Sequence, residues 1–545
     1  MGLLTRKPLS ESFRQSSNNN KKNLSWFHLL AYGISATIGS GIYVTIGLTA
    51  RDVTGPAVLL SIFLAGALSC LTALCYLELS NIVPASGSSY SWGVTFLGEG
   101  IGWLLGWIST LEYAFAGSCT AVAISQYISS LSPYLDPLPL LRGSDNPDNY
   151  ILVFNFVALL IIVLISPIVL CGISFGTKTN NVMATINITV LSCIVAIGCF
   201  YVVPANWFPF FLTDPSGKQV TSASEQVISG ALIMIYSFLG FDTICVFVAD
   251  AISPRHVQIA VLGTLALATT LYMLVALIIT GMVPISMIDV NTPLSSAFLD
   301  SGLYGAHIVI KVCALCMLLA TLLACLLGQP KIFQVISLDG LLPKIFSAGS
   351  EGTGSVPVLN SLICCTLSAL LATFFNVYSL VEIISTGALL VFTTNASSVI
   401  IAKSDNSRKY FLVPCFVCGN LLTWLLYQSS YSAILTAIVG VVFTGMPLAG
   451  LIWIFYAQKG GPKNPTNLGY GSENSSTFCP WMPLIPCLSI VGNTFIMSTV
   501  EIITWIQLLS WIFIGVLIYI FYGYKHSLIG KPVPTMTNKA AEILS

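Results

Sequence analysis

The chain has 545 residues, of which 55% are hydrophobic and only 8% are charged, and its formal net charge is zero. Soluble globular domains carry about 25% charged residues, so this composition predicts an integral membrane protein and excludes a soluble enzyme. The balanced charge also argues against a nucleic-acid partner.

Residues 1–26 form the first predicted element. They are polar and basic, and they lack the apolar core and the cleavage site of a signal peptide. We therefore expect a disordered cytosolic tail and no cleaved leader.

Fourteen apolar segments follow, each close to the roughly 20 residues that a membrane-spanning helix needs. They cover residues 27–49, 56–83, 100–131, 151–171, 178–203, 226–249, 258–284, 304–327, 356–375, 379–402, 410–427, 432–457, 481–500 and 502–524. With the N-terminus in the cytosol, most of the 21 Lys and Arg residues fall on the cytosolic side, as the positive-inside rule requires. An even number of spans then places both termini in the cytosol.

Two of these segments are interrupted by glycine in the middle. The first contains ATIGSGIY (36–43), and the sixth contains IYSFLGFDTI (235–244). Interruptions at matching positions of two halves are typical of secondary transporters, because unwound backbone at the midplane can bind substrate. The alternative is close helix packing, which the spacing of Gly33, Thr37 and Gly41 also fits.

Other chemistries find little support in the sequence. There is no phosphate-binding G-x-x-x-x-G-K-[ST] motif, so we expect neither an ATP-driven pump nor an enzyme. Nearly all of the 16 cysteines lie inside apolar segments, where cysteine is an ordinary packing residue. We predict no disulfide, no metal site and no cofactor.

Several motifs occur in the order in which one known superfamily carries them. They are IGSGIY (38–43), YLELSNIVPASGSSY (76–90), GWISTLEY (106–113), NNVMATIN (180–187), FLGFDTI (238–244) and DGLLP (339–343). Together they resemble the amino acid–polyamine–organocation superfamily. The last two segments, PWMPLIPCLSIVGNTFIM (480–497) and WIFIGVLIYIFYGYKHS (511–527), narrow the resemblance to its cationic amino acid transporter family.

This resemblance implies an all-α polytopic membrane protein with a LeuT-like inverted repeat of five plus five helices and four peripheral helices. The transport core would be 27–402, the peripheral helices 403–524, and the cytosolic C-terminal tail 525–545. The related light-chain exchangers carry a cysteine in the outer loop after span 3, and the loop at 132–150 has none. We therefore expect no disulfide-linked heavy subunit.

The resemblance also implies a substrate site at the two breaks. The substrate carboxylate would meet Ser40 and Gly41, and the ammonium would meet carbonyl groups around Thr37, Tyr236, Ser237 and Leu239. The complete set of predicted binding positions is Thr37, Ile38, Gly39, Ser40, Gly41, Glu112, Tyr236, Ser237, Leu239 and Gly240.

Three further residues bear on substrate and coupling. Glu112 lies in the middle of span 3, where it could attract a cationic side chain, hold a proton, or serve a neighbouring helix. Asn187 stands where proton-coupled relatives carry lysine, which favours uniport or exchange because an amide carries no titrating proton. Lys311 lies near the outer end of span 8, where it could either snorkel outward or put a positive charge in the outer vestibule.

Other polar residues match the family motifs without pointing to substrate. We expect Asp242 to cap the helix that follows the second break. Glu78 and Asp339 are predicted to be scaffolding of the gate or loops near the cytosolic face.

The sequence thus predicts a secondary transporter that moves amino acids, with arginine, lysine or ornithine favoured, by alternating access. The alternatives are a neutral amino acid transporter of the same fold and a transporter-like amino acid sensor. The membrane would be the plasma membrane or that of a vacuole or lysosome.

Overall fold

A computed structural model describes most of the chain. The described residues are 5–7, 24–84, 87–130, 137–142, 150–170, 177–213, 220–246, 248, 251–347, 358–404, 406–428, 439–457 and 479–529. Within them the chain is almost entirely helical, and the apolar side chains that cover its outer surface are those that a bilayer would contact.

The first half of the chain contains two helices that are each broken in the middle. The helices up to the second break are α1 (Trp26–Thr37), α2 (41–54, with π-helical turns at Gly41–Thr45 and Ala50–Thr54), α3 (Val58–Ile82), α4 (Ser88–Trp92), α5 (Glu99–Ser129), α6 (Phe156–Leu170), α7 (Thr177–Gly198) and α8 (Ala223–Phe238). Thus α1 and α2 are the halves of the first broken helix. The second broken helix consists of α8 and α9 (Phe241–Val246).

The remaining helices run from the second break to the end of the described chain. They are α10 (Pro254–Met282), α11 (Pro293–Asp300), α12 (Tyr304–Leu338), α13 (Val358–Phe374), α14 (Val377–Lys403), α15 (Lys409–Gln428), α16 (Met446–Ala457), α17 (Leu484–Met497) and α18 (Ile502–Ile518). Each of the fourteen predicted segments overlaps at least one of the described helices. Among the described residues, six helical stretches are individually long and apolar enough to cross a membrane, so the protein is polytopic.

The expected helix in the eighth segment is longer than its hydropathy indicates. The prediction ended at residue 327, whereas α12 continues to Leu338. The continuation passes through Pro330, whose carbonyl accepts a 2.8 Å hydrogen bond from Asn360 Nδ2. Hydropathy indicates which residues suit the bilayer, but a helix can continue beyond the end of its apolar segment.

One loop departs from the all-helical prediction. Residues Leu138–Arg142 (β1) and Tyr150–Phe154 (β2) form an antiparallel two-stranded sheet. The second strand occupies the first residues of the predicted span at 151–171, so that helix begins later, at Phe156. The sequence YILVF is rich in β-branched and aromatic residues, which favour a strand.

The prediction of a disordered N-terminal tail is wrong for residues 5–7. Lys7 is buried, and its Nζ lies 2.6 Å from Asp339 Oδ1 at the end of α12. The backbone carbonyl of Thr5 accepts a 2.9 Å bond from the Glu99 N–H at the start of α5. Composition predicted disorder because it cannot register a distant carboxylate that binds the tail.

The helices that surround the two breaks position the functional region. Helix α5 packs along α12 and α14, α10 packs along α1, and α3 packs along α8. Both breaks are therefore enclosed by other helices, which keeps their unwound backbone out of contact with lipid.

Candidate functional site

The two helix breaks lie directly against each other. Gly240 has φ +110°, a conformation that favours glycine, and a Cβ there would lie 2.7 Å from the Ala36 carbonyl oxygen and 3.2 Å from the Thr37 nitrogen. The second break thus turns where the backbone of α1 passes closest to it. A side chain at residue 240 would push the two broken helices apart.

Gly41 and Gly39 combine the two alternatives that the sequence left open. A Cβ at Gly41 would lie 2.6 Å from Ser237 Cα, and one at Gly39 would lie 2.8 Å from the Thr321 side chain. The glycines therefore both permit the unwinding and allow close packing against α8 and α12. Packing and unwinding are complementary here, because only a side-chain-free backbone brings the two breaks together.

Hydroxyl groups on both sides link the broken helices. Ser40 Oγ lies 2.5 Å from Tyr236 Oη and 3.4 Å from Thr120 Oγ1, and Thr45 Oγ1 lies 2.9 Å from Ser237 Oγ. These bonds join the start of α2 to the end of α8 through side chains. The N-terminal end of α2 carries backbone N–H groups that have no acceptor within their own helix.

Two side chains from other helices hydrogen-bond to backbone carbonyl groups at the breaks. Asn187 Nδ2 donates to the Ile38 carbonyl at 2.9 Å, and Asn187 Oδ1 accepts a 2.9 Å bond from Tyr43 Oη. Tyr272 Oη lies 3.0 Å from the Thr37 carbonyl oxygen and 2.8 Å from that of Ser237. The sequence marked Asn187 as a coupling position but gave no reason to select Tyr272.

A cavity of about 1410 Å³, including the space at its mouth, extends from the breaks. Its lining includes residues 87–90, at the start of α4, and Lys331 and Ile332 of α12, where the exposed Lys331 marks its open side. The distribution of basic residues predicts that this side faces the cytosol. The broken backbone forms part of the cavity wall.

Most of the predicted binding positions line this cavity. The lining positions are Thr37, Gly39, Ser40, Gly41, Glu112, Tyr236, Leu239 and Gly240. Ile38 and Ser237 are buried behind the cavity wall instead, and they contribute backbone carbonyls to the bonds described above. Asn187 also lies behind the wall, fully buried.

Lys311 lies away from the cavity. It is 9% exposed near the start of α12, and it interacts electrostatically with Asp289. Asp289 in turn accepts bonds from the Asn291 N–H and the Thr292 hydroxyl. Within the described chain, the position of Lys311 gives it no contact with the cavity at the breaks.

Two carboxyl groups line the cavity together. Glu112 of α5 was predicted, whereas Asp242 of α9 was expected only to cap its helix. Asp242 does lie beside the backbone N–H groups of Gly240 and Thr243. Within the described ranges, no Lys, Arg or His lies within ion-pair distance of either carboxyl.

Helix α12 contributes a wall that sequence analysis missed. The side chains or backbone of Thr321, Cys325 and Gly328 line the cavity, and Lys331 lies at its mouth. Their spacing of three or four residues puts them on one face of the helix. A row of small and polar residues along one face of an otherwise apolar helix is the sequence signal that could have identified α12 as part of the cavity lining.

Carboxylates near the predicted cytosolic face have partners. Asp339 accepts bonds from Lys7 and from the Tyr90 hydroxyl at 2.8 Å. Glu78 forms an ion pair with Lys403 and accepts the Cys479 N–H at 3.0 Å. These contacts join the tail, the loops and the peripheral helices, in keeping with a scaffolding role. Within the described residues, no group of three or more His, Cys, Asp or Glu side chains could hold a metal ion.

The sequence matches two family models along most of its length. The model described as amino acid permease matches residues 24–471, and the model described as the C-terminus of that permease matches residues 478–527. The two matches together cover the broken helices, the cavity and the peripheral helices.

Curated proteins of similar sequence include transporters from plants, mammals and bacteria. The vacuolar cationic amino acid transporter 4 of Arabidopsis thaliana is 31% identical, over 95% of this chain and 94% of the relative. Cationic amino acid transporter 4 of Mus musculus is 28% identical, over 96% and 90%. The methylthioribose transporter of Bacillus subtilis is 29% identical, over 97% and 99%.

Proposed function

This chain belongs to the amino acid permease family, within its cationic amino acid transporters, and from that premise we propose that it carries amino acids with cationic side chains across a membrane by alternating access. It is a multi-pass membrane protein that transports amino acids. The preference for a cationic side chain and the assignment of residues to the substrate are the parts that require a test.

The unpaired carboxyl groups of Glu112 and Asp242 are the observation that supports a cationic substrate. An ionisable group at membrane depth is costly unless a partner compensates it. Because no cation of the described chain lies within ion-pair distance of either carboxyl, the substrate itself is the partner that the cavity can receive. A lysine or arginine side chain would bring the missing positive charge.

The substrate backbone would bind at the two breaks. We infer that its carboxylate accepts hydrogen bonds from the N–H groups at Ser40 and Gly41, where the positive end of the α2 dipole lies. Its ammonium would donate to carbonyl groups at the ends of α1 and α8, around Thr37 and Ser237. The side chain then extends along the cavity past Glu112.

Transport would proceed by uniport or exchange. Proton-coupled relatives of this fold carry, at the position of Asn187, a lysine that can gain and lose a proton. Asn187, the side chain that bonds the Ile38 carbonyl, is an amide and cannot do so.

We also propose the complete architecture that the family implies. It has fourteen spans with cytosolic tails at 1–26 and 525–545, an inverted-repeat core at 27–402 and four peripheral helices at 403–524. The support is that each predicted segment overlaps a helix and that the breaks occur in the first and sixth segments.

Uptake by purified protein in liposomes tests this proposal. Radiolabelled lysine is supplied outside, and each of the twenty common amino acids is added in excess as a competitor. We expect lysine and arginine to compete most strongly. Strong competition by leucine alone would assign a neutral substrate, and binding without any uptake would indicate a sensor.

A further inference from the structure

Tyr272 of α10 is a buried residue that acts on both helix breaks at once. It is fully buried, it does not line the cavity, and its ring packs edge-on against Phe238 with centroids 5.4 Å apart. Its hydroxyl oxygen lies 3.0 Å from the carbonyl oxygen of Thr37 and 2.8 Å from that of Ser237. One hydroxyl group therefore lies between the Thr37 carbonyl at the end of α1 and the Ser237 carbonyl near the end of α8.

The hydrogen bonds at this contact leave acceptor sites of the two carbonyl groups free for a ligand. A tyrosine hydroxyl has one proton, so it can donate to only one of the two carbonyls at a time. Each carbonyl oxygen has two lone pairs and can therefore accept two hydrogen bonds. The Thr37 carbonyl already accepts one of them, a 3.1 Å bond from the Gly39 N–H. When Tyr272 donates to Ser237, both carbonyls retain one acceptor site each.

We propose that Tyr272 is a positioning residue for the substrate α-ammonium group. The hydroxyl lies between the two carbonyl oxygens and donates to one of them at a time, so that the remaining acceptor sites of both face the same point and can serve one ammonium. This inference rests on the proposed function, because it requires that an amino acid bind at the breaks. Tyr272 itself need not touch the substrate.

The test is Tyr272→Phe, which removes the hydroxyl and keeps the buried ring. Competition against radiolabelled lysine uptake is measured with lysine and with 6-aminohexanoic acid, which is lysine without its α-amino group. We expect the inhibition constant of lysine to rise about tenfold, the loss typical of one hydrogen bond near a charge. The constant for 6-aminohexanoic acid should stay within twofold, because that compound has no α-ammonium.

Tyr127→Phe is the matched control. Tyr127 is also fully buried, and its hydroxyl donates at 3.1 Å to a backbone carbonyl, that of Tyr43, which is neither of the two carbonyls proposed to receive the ammonium. Its loss should change both inhibition constants equally or not at all. Tyr272→His, which retains a ring N–H donor, should recover part of the discrimination and provides a second variant if the phenylalanine variant does not accumulate.

The outcomes separate this inference from the proposed function. An equal loss of affinity for both competitors would make Tyr272 a structural residue, and an unchanged lysine constant would remove any role for its hydroxyl. If wild-type protein transports leucine instead, leucine and 4-methylpentanoate replace the two competitors and test the same inference. Failure of the wild type to transport any amino acid would contradict the proposed function instead.

Discussion

The carboxylates at the predicted cytosolic face and those of the cavity differ in their partners. At that face, Asp339 is bound by Lys7 and Glu78 by Lys403. Glu99 accepts bonds from the hydroxyls of Tyr519 at 3.0 Å and Ser527 at 2.9 Å. Each of these acids is bound by side chains from distant segments, so each serves to join segments of the fold.

Glu112 and Asp242 in the cavity have no such cation among the described residues. Both carboxyl groups are half-buried, and an ionised carboxylate at membrane depth is costly unless a partner compensates it. We propose that this difference in pairing separates acids that hold the structure from acids that bind a cationic substrate.

The largest effect is expected where the two breaks touch. Gly41→Leu places a side chain 2.6 Å from Ser237 Cα and should reduce uptake at least about a hundredfold, because α2 and α8 can no longer approach. Liposome uptake and membrane insertion are measured together. Gly305→Leu is the control, since no atom lies within 4 Å of a Cβ there. Normal uptake by Gly41→Leu would contradict the binding-site assignment.

Glu112→Gln tests the cavity side of the comparison. Removing the carboxylate should weaken lysine and arginine by about tenfold or more and leave neutral amino acids within threefold, because the lost contact is to a charged side chain. Inhibition constants for lysine and leucine are compared in one assay. A similar loss for both substrates would mean that Glu112 is structural after all.

Lys7→Ala tests the cytosolic side. It leaves Asp339 buried without its cation, and we expect a loss of stability of about 3 kcal/mol with little change in the ratio of lysine to leucine affinity. Thermal unfolding of the purified protein in detergent is measured for Lys7→Ala, Asp339→Asn and the double variant. Effects that simply add would show that the two residues are not coupled.

The smallest effect is expected from collapse of the proton gradient. Lysine uptake at a fixed membrane potential should remain within about twofold, because Asn187 cannot carry a proton. The same uptake should still respond to voltage, at about 2.3 kcal/mol per charge per 100 mV. Uptake that stops when only the proton gradient is removed would contradict uniport or exchange.

The sequence by itself determined those features of the protein that depend on residues close together along the chain. Apolar length predicted helices in all fourteen segments, glycine interruptions predicted both breaks, and ordered motifs predicted the family that the comparisons confirmed. These signals work because helix formation and membrane depth depend on residues close in sequence. They gave the position of Glu112 in its segment but not the direction in which its side chain points.

Rotation and packing of the helices decided the rest. Only the tertiary structure puts Asp242 and Lys331 around the same cavity as Glu112, and sets Tyr272 between the carbonyls of Thr37 and Ser237. Only it also brings Lys7 across more than three hundred residues to Asp339. The physical reason is that hydropathy records burial without saying against what: a side chain facing lipid, a neighbouring helix or a cavity leaves the same apolar pattern. The partners of polar groups therefore emerge only when distant segments pack together.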